Sequence, residues 1–96
     1  MYTRLEFEWD EAKNLANIRK HGISFVLAKR IFEGAVLSRL DRRREYGEER
    51  YLSIGQVEQA LIVVAHTRRE GRTRLISARP ASRKERQAYH EYREEV

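Results

Sequence analysis

Two short motifs place groups that can move protons beside groups that can hold an anion: His66-Thr67-Arg68 and Ser77-Ala78-Arg79. An imidazole gives or takes a proton near neutral pH. A guanidinium grips phosphate or carboxylate oxygens through two parallel N–H bonds. Arg79 precedes Pro80 and a helix start capped by Ser82, where free backbone amides and the helix dipole favour an anion. Arg83 and Arg86 rise from the first turns of that helix, and the set suits phosphate recognition. Each residue also has a structural explanation. His66, beside an apolar run, can be a hydrogen-bonded core residue, and Arg79 can bridge a carboxylate. His21, in a last helical turn, complements the helix dipole. His90 reads as surface. The three histidines have no metal-ligand spacing and cysteine is absent, so no metal site and no disulfide is expected. No Walker loop, dinucleotide fingerprint or nucleophile elbow occurs, so no cofactor is expected.

The elements that must position these groups can be read from periodicity. Leu5, Phe7 and Trp9 alternate with Glu6 and Glu8, as in a short edge strand with one wet face. Asp10 can cap a helix running through Lys20, with Ala12, Leu15, Ala16 and Ile18 as its inward stripe. Gly22 suits a left-handed helix end, and Ser24 can cap a second helix carrying Phe25, Ala28, Ile31 and Phe32 up to Gly34. Strands are expected over 35–40, 50–56, 60–67 and 73–79, with Glu70-Gly71 as a hairpin turn. The apolar run 60–65 marks the central strand, and Leu75, Ser77 and Arg79 should share one face of the last. Residues 41–49, with four acidic and three basic groups around Gly47, read as a solvated loop. Ser82 and Glu85 form a capping box for a final helix, whose Tyr89 and Tyr92 pack on the sheet. The fold class is therefore α+β: a short N-terminal strand, two helices, a four-stranded antiparallel meander and a C-terminal helix, in one domain spanning 1–96.

Composition narrows the partners. The chain has 96 residues, 41% of them hydrophobic, which suffices for one core. Mean hydropathy is −0.78, and no apolar run approaches the roughly 20 residues of a membrane span. With no secretion signal at the N-terminus, a cytoplasmic protein is expected. Of the +5 net charge, +4 falls in residues 68–96, which hold nine basic and five acidic groups. A basic surface of this kind favours a polyanion, though a solvated basic helix would account for it equally.

Several stretches, in order, carry a resemblance: Phe7-Glu8-Trp9-Asp10-Glu11, Lys20-His21-Gly22-Ile23-Ser24-Phe25, Gly47-Glu48-Glu49-Arg50 with Gly55, His66-Thr67-Arg68, and Ile76-Ser77-Ala78-Arg79 followed by Glu85-Arg86. Together they resemble the BrnT family of toxin-antitoxin toxins. The resemblance implies a RelE-like fold, an endoribonuclease that arrests translation, and neutralisation by a BrnA-like antitoxin that carries the DNA-binding activity. It implies a hetero-oligomer of two toxins on an antitoxin dimer. Where the family often has an acidic residue after His-Thr, this chain has Arg68.

A metal-independent ribonuclease must deprotonate a 2′-hydroxyl, protonate the leaving 5′-oxygen and offset charge on the phosphate. The expectation is His66 or Glu49 as base and Arg79 as phosphate clamp, with Lys20, His21, Arg68 and Arg86 as supporting or acid groups. Arg68, Arg83 and Arg86 would contact RNA. The alternative is a basic module that binds RNA or ribosomes without cutting, or a partner subunit of a DNA-binding regulator.

Overall fold

The computed structural model describes residues 6–95, so the expected contribution of Leu5 to the first strand lies outside the described residues. In chain order the elements are β1 (Phe7–Glu8), α1 (Glu11–His21), α2 (Phe25–Ala28), a 3-10 turn (Lys29–Glu33), β2 (Leu37–Leu40), β3 (Tyr51–Val57), β4 (Ala60–Arg69), β5 (Arg72–Pro80) and α3 (Arg83–Glu95). The arrangement is α+β, as the periodicity predicts. Strands β2 to β5 pair antiparallel in succession, and β1 adds to β5 in parallel, giving the order β1-β5-β4-β3-β2. The sheet is thus five-stranded and mixed, one parallel strand beyond the expected meander.

Local signals set most boundaries. The Asp10 carboxylate accepts from the N–H groups of Ala12 and Lys13, and Gly22 closes α1 at φ 72°. Ser24 accepts from the Leu27 N–H, but its helix tightens to 3-10 geometry after Ala28. At the start of α3, the Ser82 hydroxyl accepts from the Glu85 N–H while the Glu85 carboxylate accepts from the Ser82 N–H, the reciprocal box expected there. The β4–β5 hairpin turns at Glu70-Gly71, both with positive φ.

The sheet is covered on both faces. On one, α1, α2 and the 3-10 turn bury Ile23, Phe25, Ala28 and Ile31 against Ile62, Val64, Leu75 and Ala78. On the other, α3 sets Tyr89 and Tyr92 over Leu52, Ile54, Val63 and Ala65. Two-sided cover explains why β4 is apolar at consecutive positions.

Two expectations are corrected. The inward face of α1 is Asn14 and Asn17, not Ala12, Leu15, Ala16 and Ile18; Leu15 and Ile18 are 49% and 39% exposed. The asparagines win because backbone groups need them. Asn14 Oδ1 accepts from the Phe25 N–H, and Asn17 bonds the Ile23 and Ala78 carbonyls and the Ala78 N–H. Second, β5 carries a bulge: Ala65 pairs with Ser77 but His66 with Leu75. One extra residue reverses the alternation beyond it. Leu75 therefore faces the α1 and α2 side, whereas Arg79, opposite Val63, faces α3.

Candidate functional site

The segment between β2 and β3 is a folded frame. Asp41 is buried and takes a bidentate pair from Arg43, at 2.8 and 2.7 Å, plus the Tyr46 hydroxyl at 3.1 Å. Those hydrogen bonds, led by Arg43, hold its carboxyl well below the usual carboxylate range. The guanidinium groups of Arg44 and Arg50 stand over the Tyr46 ring, 5.1 and 4.1 Å from its centre. The Asp41 N–H donates to the Arg50 carbonyl, and the Thr67 hydroxyl donates to the Glu49 carbonyl at 2.6 Å, so the frame is tied to β4. The signal the sequence offers for it is Tyr46 with Arg44 two residues before and Arg50 four after.

This frame holds Glu49 where two clefts meet. One, about 410 Å³, is lined by Arg42, Arg44, Tyr46, Glu48 and Glu49; the other, about 240 Å³, by Glu48, Glu49, Tyr51, Thr67 and Arg68. Glu48 is committed elsewhere: burial raises its carboxyl, but hydrogen bonds from Arg69 and Arg50 outweigh that and lower it. Glu49 is exposed, and among the described residues its one side-chain partner is the Tyr51 hydroxyl at 3.3 Å. Arg68 donates to the Thr73 hydroxyl and the Gly71 carbonyl, neutral acceptors that leave its charge uncompensated among the described residues. Among the described residues, Arg42 and Arg44 have no carboxylate partner.

His66 stands behind Tyr51 and is enclosed. Its ring stacks on Tyr51 at 5.8 Å and meets the edge of Phe32 at 5.1 Å. Nε2 is 2.7 Å from the Ser53 hydroxyl, which in turn lies 2.6 Å from that of Ser38, and Nδ1 is buried without a partner. Burial first, and the charge of Arg68 second, push the imidazole from 6.5 down to about 4. It is neutral at pH 7, which fits the core reading of this histidine.

That shift carries a pH signature. The unfolded imidazole takes up a proton near pH 6.5 and the folded one only near 4, so the stabilisation is complete above 6.5 and is lost as pH falls toward 4. Across that window we expect a loss on the order of 3 kcal/mol from this group. Urea unfolding at pH 7 and pH 4.5 should show a smaller pH-dependent change in His66→Phe than in the parent; an equal change would contradict the enclosed, neutral imidazole.

The other expected site residues lie apart from this cluster. Arg79 binds Glu85 bidentately, both distances 2.8 Å, and that hydrogen-bonded pairing raises the guanidinium while drawing the Glu85 carboxyl from 4.5 to about 2. The anion seated by Arg79 at the start of α3 is the chain's own carboxylate. The capping box already named that residue. Arg86 donates to the Ala81 carbonyl and Arg83 is exposed, both on the α3 side of the sheet. Arg79 and His66 are thus on opposite faces. Lys20 and His21 end α1 beyond Asn17, and among the described residues no hydrogen bond or ion pair joins them to His66, Glu49 or Arg79.

An exposed carboxylate between uncompensated arginines is consistent with phosphodiester chemistry, and the comparison with known families decides the identity. Residues 9–85 match the family described as the ribonuclease toxin, BrnT, of a type II toxin-antitoxin system. The chain belongs to the BrnT family. It is the toxin component of such a system, and the description implies an antitoxin partner. No curated protein matches this BrnT sequence significantly. The matched span includes all of α1 through β5 and the first turn of α3, so the frame at 41–50, Glu49, His66 and the Arg79–Glu85 pair all lie within the BrnT unit.

Proposed function

We infer that this BrnT chain is a metal-independent endoribonuclease with Glu49 as its general base. The observation that carries the reading is the place of Glu49: an exposed carboxylate lining two open clefts, with Arg42 and Arg44 on one side and Tyr51 and Arg68 on the other. RNA would lie with a phosphate against these arginines. Glu49 would take the proton of the 2′-hydroxyl as its oxygen bonds to phosphorus and the bond to the 5′-oxygen breaks. The guanidinium groups offset charge on the phosphate oxygens, and solvent protonates the leaving oxygen. His66 backs the site by stacking under Tyr51. Arg83 and Arg86 extend RNA contact, and Arg79 fixes the start of α3. Lys20 and His21 take no part in this arrangement. A RelE-like fold, a cytoplasmic site of action on translation, and a BrnA-like antitoxin that alone touches DNA complete the reading.

The test is incubation of antitoxin-free protein with end-labelled RNA in a chelator. Discrete products ending in 2′,3′-cyclic phosphate are expected, and Glu49→Gln should slow their appearance by about 10²–10⁴-fold, the usual contribution of a general base. Cleavage that appears only after Mg²⁺ is restored would overturn metal independence. Equal rates for Glu49→Gln and parent would move the base elsewhere, and salt-sensitive binding without products would favour the non-catalytic module.

A further inference from the structure

Strand β2 ends the sheet. It pairs only with β3, so its outer edge is free among the described residues. Beside it, on the α3 side, runs a groove of about 240 Å³ lined by Leu37, Leu52, Ile54 and Ala88, with Arg39 and Lys84 also in its lining. The one carboxylate in that lining, Glu85, is already held by Arg79 and the Ser82 N–H. No carboxylate pairs with Arg39 or Lys84 among the described residues. The groove therefore has an apolar floor, an uncompensated cationic rim and an unpaired backbone edge. We propose that β2 and this groove receive an extended segment of the antitoxin that presents both apolar and acidic side chains to the α3 side.

Each part of that description has a reason. A strand added to β2 would pair its peptide groups with the free edge. Its alternate side chains would point to opposite faces of the enlarged sheet, and those on the α3 side would reach the groove floor. Acidic residues among those on the α3 side would meet Arg39 and Lys84 at the groove rim, a complement suited to a basic toxin. The location also explains neutralisation. β2 runs directly into the frame at 41–50, and a strand laid along it would stand beside the Arg42 and Arg44 cleft. The proposal rests on the toxin-antitoxin reading for the existence of the partner, not on the identity of the catalytic base.

The experiment compares the parent with Lys84→Gln/Ala88→Gln, in which one rim charge is neutralised and a polar amide enters the groove. Both sites are exposed on α3, so folding should be retained. Binding of the co-expressed antitoxin is measured by titration, RNA cleavage without antitoxin is measured in parallel, and amide exchange is followed in the parent complex. We expect at least tenfold weaker antitoxin binding by the variant, cleavage within about twofold of the parent, and new protection of the β2 amides on complex formation. Unchanged binding, or protection confined to α1 around the exposed Leu15 and Ile18, would overturn the surface while leaving the toxin reading intact. A parent that binds no antitoxin would remove that reading, and the proposal with it.

Discussion

Asn17→Leu should leave the protein largely unfolded or reduce its stability by about 3–6 kcal/mol, measured by urea unfolding at pH 7. The reason is the short β1. Among the described residues it covers the outer edge of β5 only at Thr73 and Arg74, and further along β5 none of their strands satisfies the outward peptide groups of Ala78. Asn17 takes the place of a strand there. Its Oδ1 accepts from the Ala78 N–H at 3.1 Å, its Nδ2 donates to the Ala78 carbonyl at 2.8 Å, and the same nitrogen reaches the Ile23 carbonyl at 2.9 Å. Leucine has similar volume but satisfies none of the three. Each buried polar group left alone costs about 1–3 kcal/mol, and a domain of this kind has only about 5–15 kcal/mol in total. Asn14→Leu, which strands only the Phe25 N–H, should cost about a third as much. Leu15→Gln, on the exposed side of the same helix, should change little. Equal losses from Asn17→Leu and Leu15→Gln would refute the account.

Gly55→Val is the second large effect expected, with a loss at or above the upper end of the usual 1–3 kcal/mol for overpacking. Gly55 lies in β3 under the 3-10 turn, and a Cβ placed on it would stand 2.5 Å from Ile31 Cβ and 3.2 Å from both Ile31 Cγ2 and Val36 Cγ1. Ile31 is fully buried and its Cβ is fixed to the backbone, so it cannot rotate away. Gly55→Ala should also destabilise, although the reduced freedom of its unfolded chain offsets about 0.4–1 kcal/mol. Because the closest atom is Ile31 Cβ, Ile31→Ala should not rescue Gly55→Ala. A double variant as stable as Ile31→Ala alone would show that the 3-10 turn shifts to make room.

These two positions show how much was legible in advance. The caps at Asp10, Ser24 and Ser82, the stop at Gly22 and the turn at Glu70-Gly71 were readable because each is a bond or backbone state formed within a few residues. The apolar run 60–65 announced a strand covered on both faces, whereas the register that sets His66 opposite Leu75 and Thr67 opposite Arg74 was decided by the fold. The inward asparagines were harder to see. Hydrophobic spacing alone favours Leu15 and Ile18, and the need for Asn17 arises only once β5 lies alongside with its edge open. The bulge was equally hidden, since no glycine marks it, and it decided that Arg79 faces α3.

For the candidate site the division has the same cause. Residue type and order along the chain determined the family, the basic C-terminal third and the residues able to handle a phosphate. They did not determine which of those residues meet. Glu49 is one of four acidic groups in a charged loop, and only the tie from Thr67 and the frame built on Asp41 and Tyr46 place it between Arg68 and the free arginines. His66 and Arg79 carry the expected chemistry, but one is enclosed against Phe32 and Tyr51 and the other is saturated by Glu85. Local bonds are encoded within a few residues of sequence. Burial and the partner that captures a charge depend on elements that meet only in the folded sheet, and those decided which groups stay free to act.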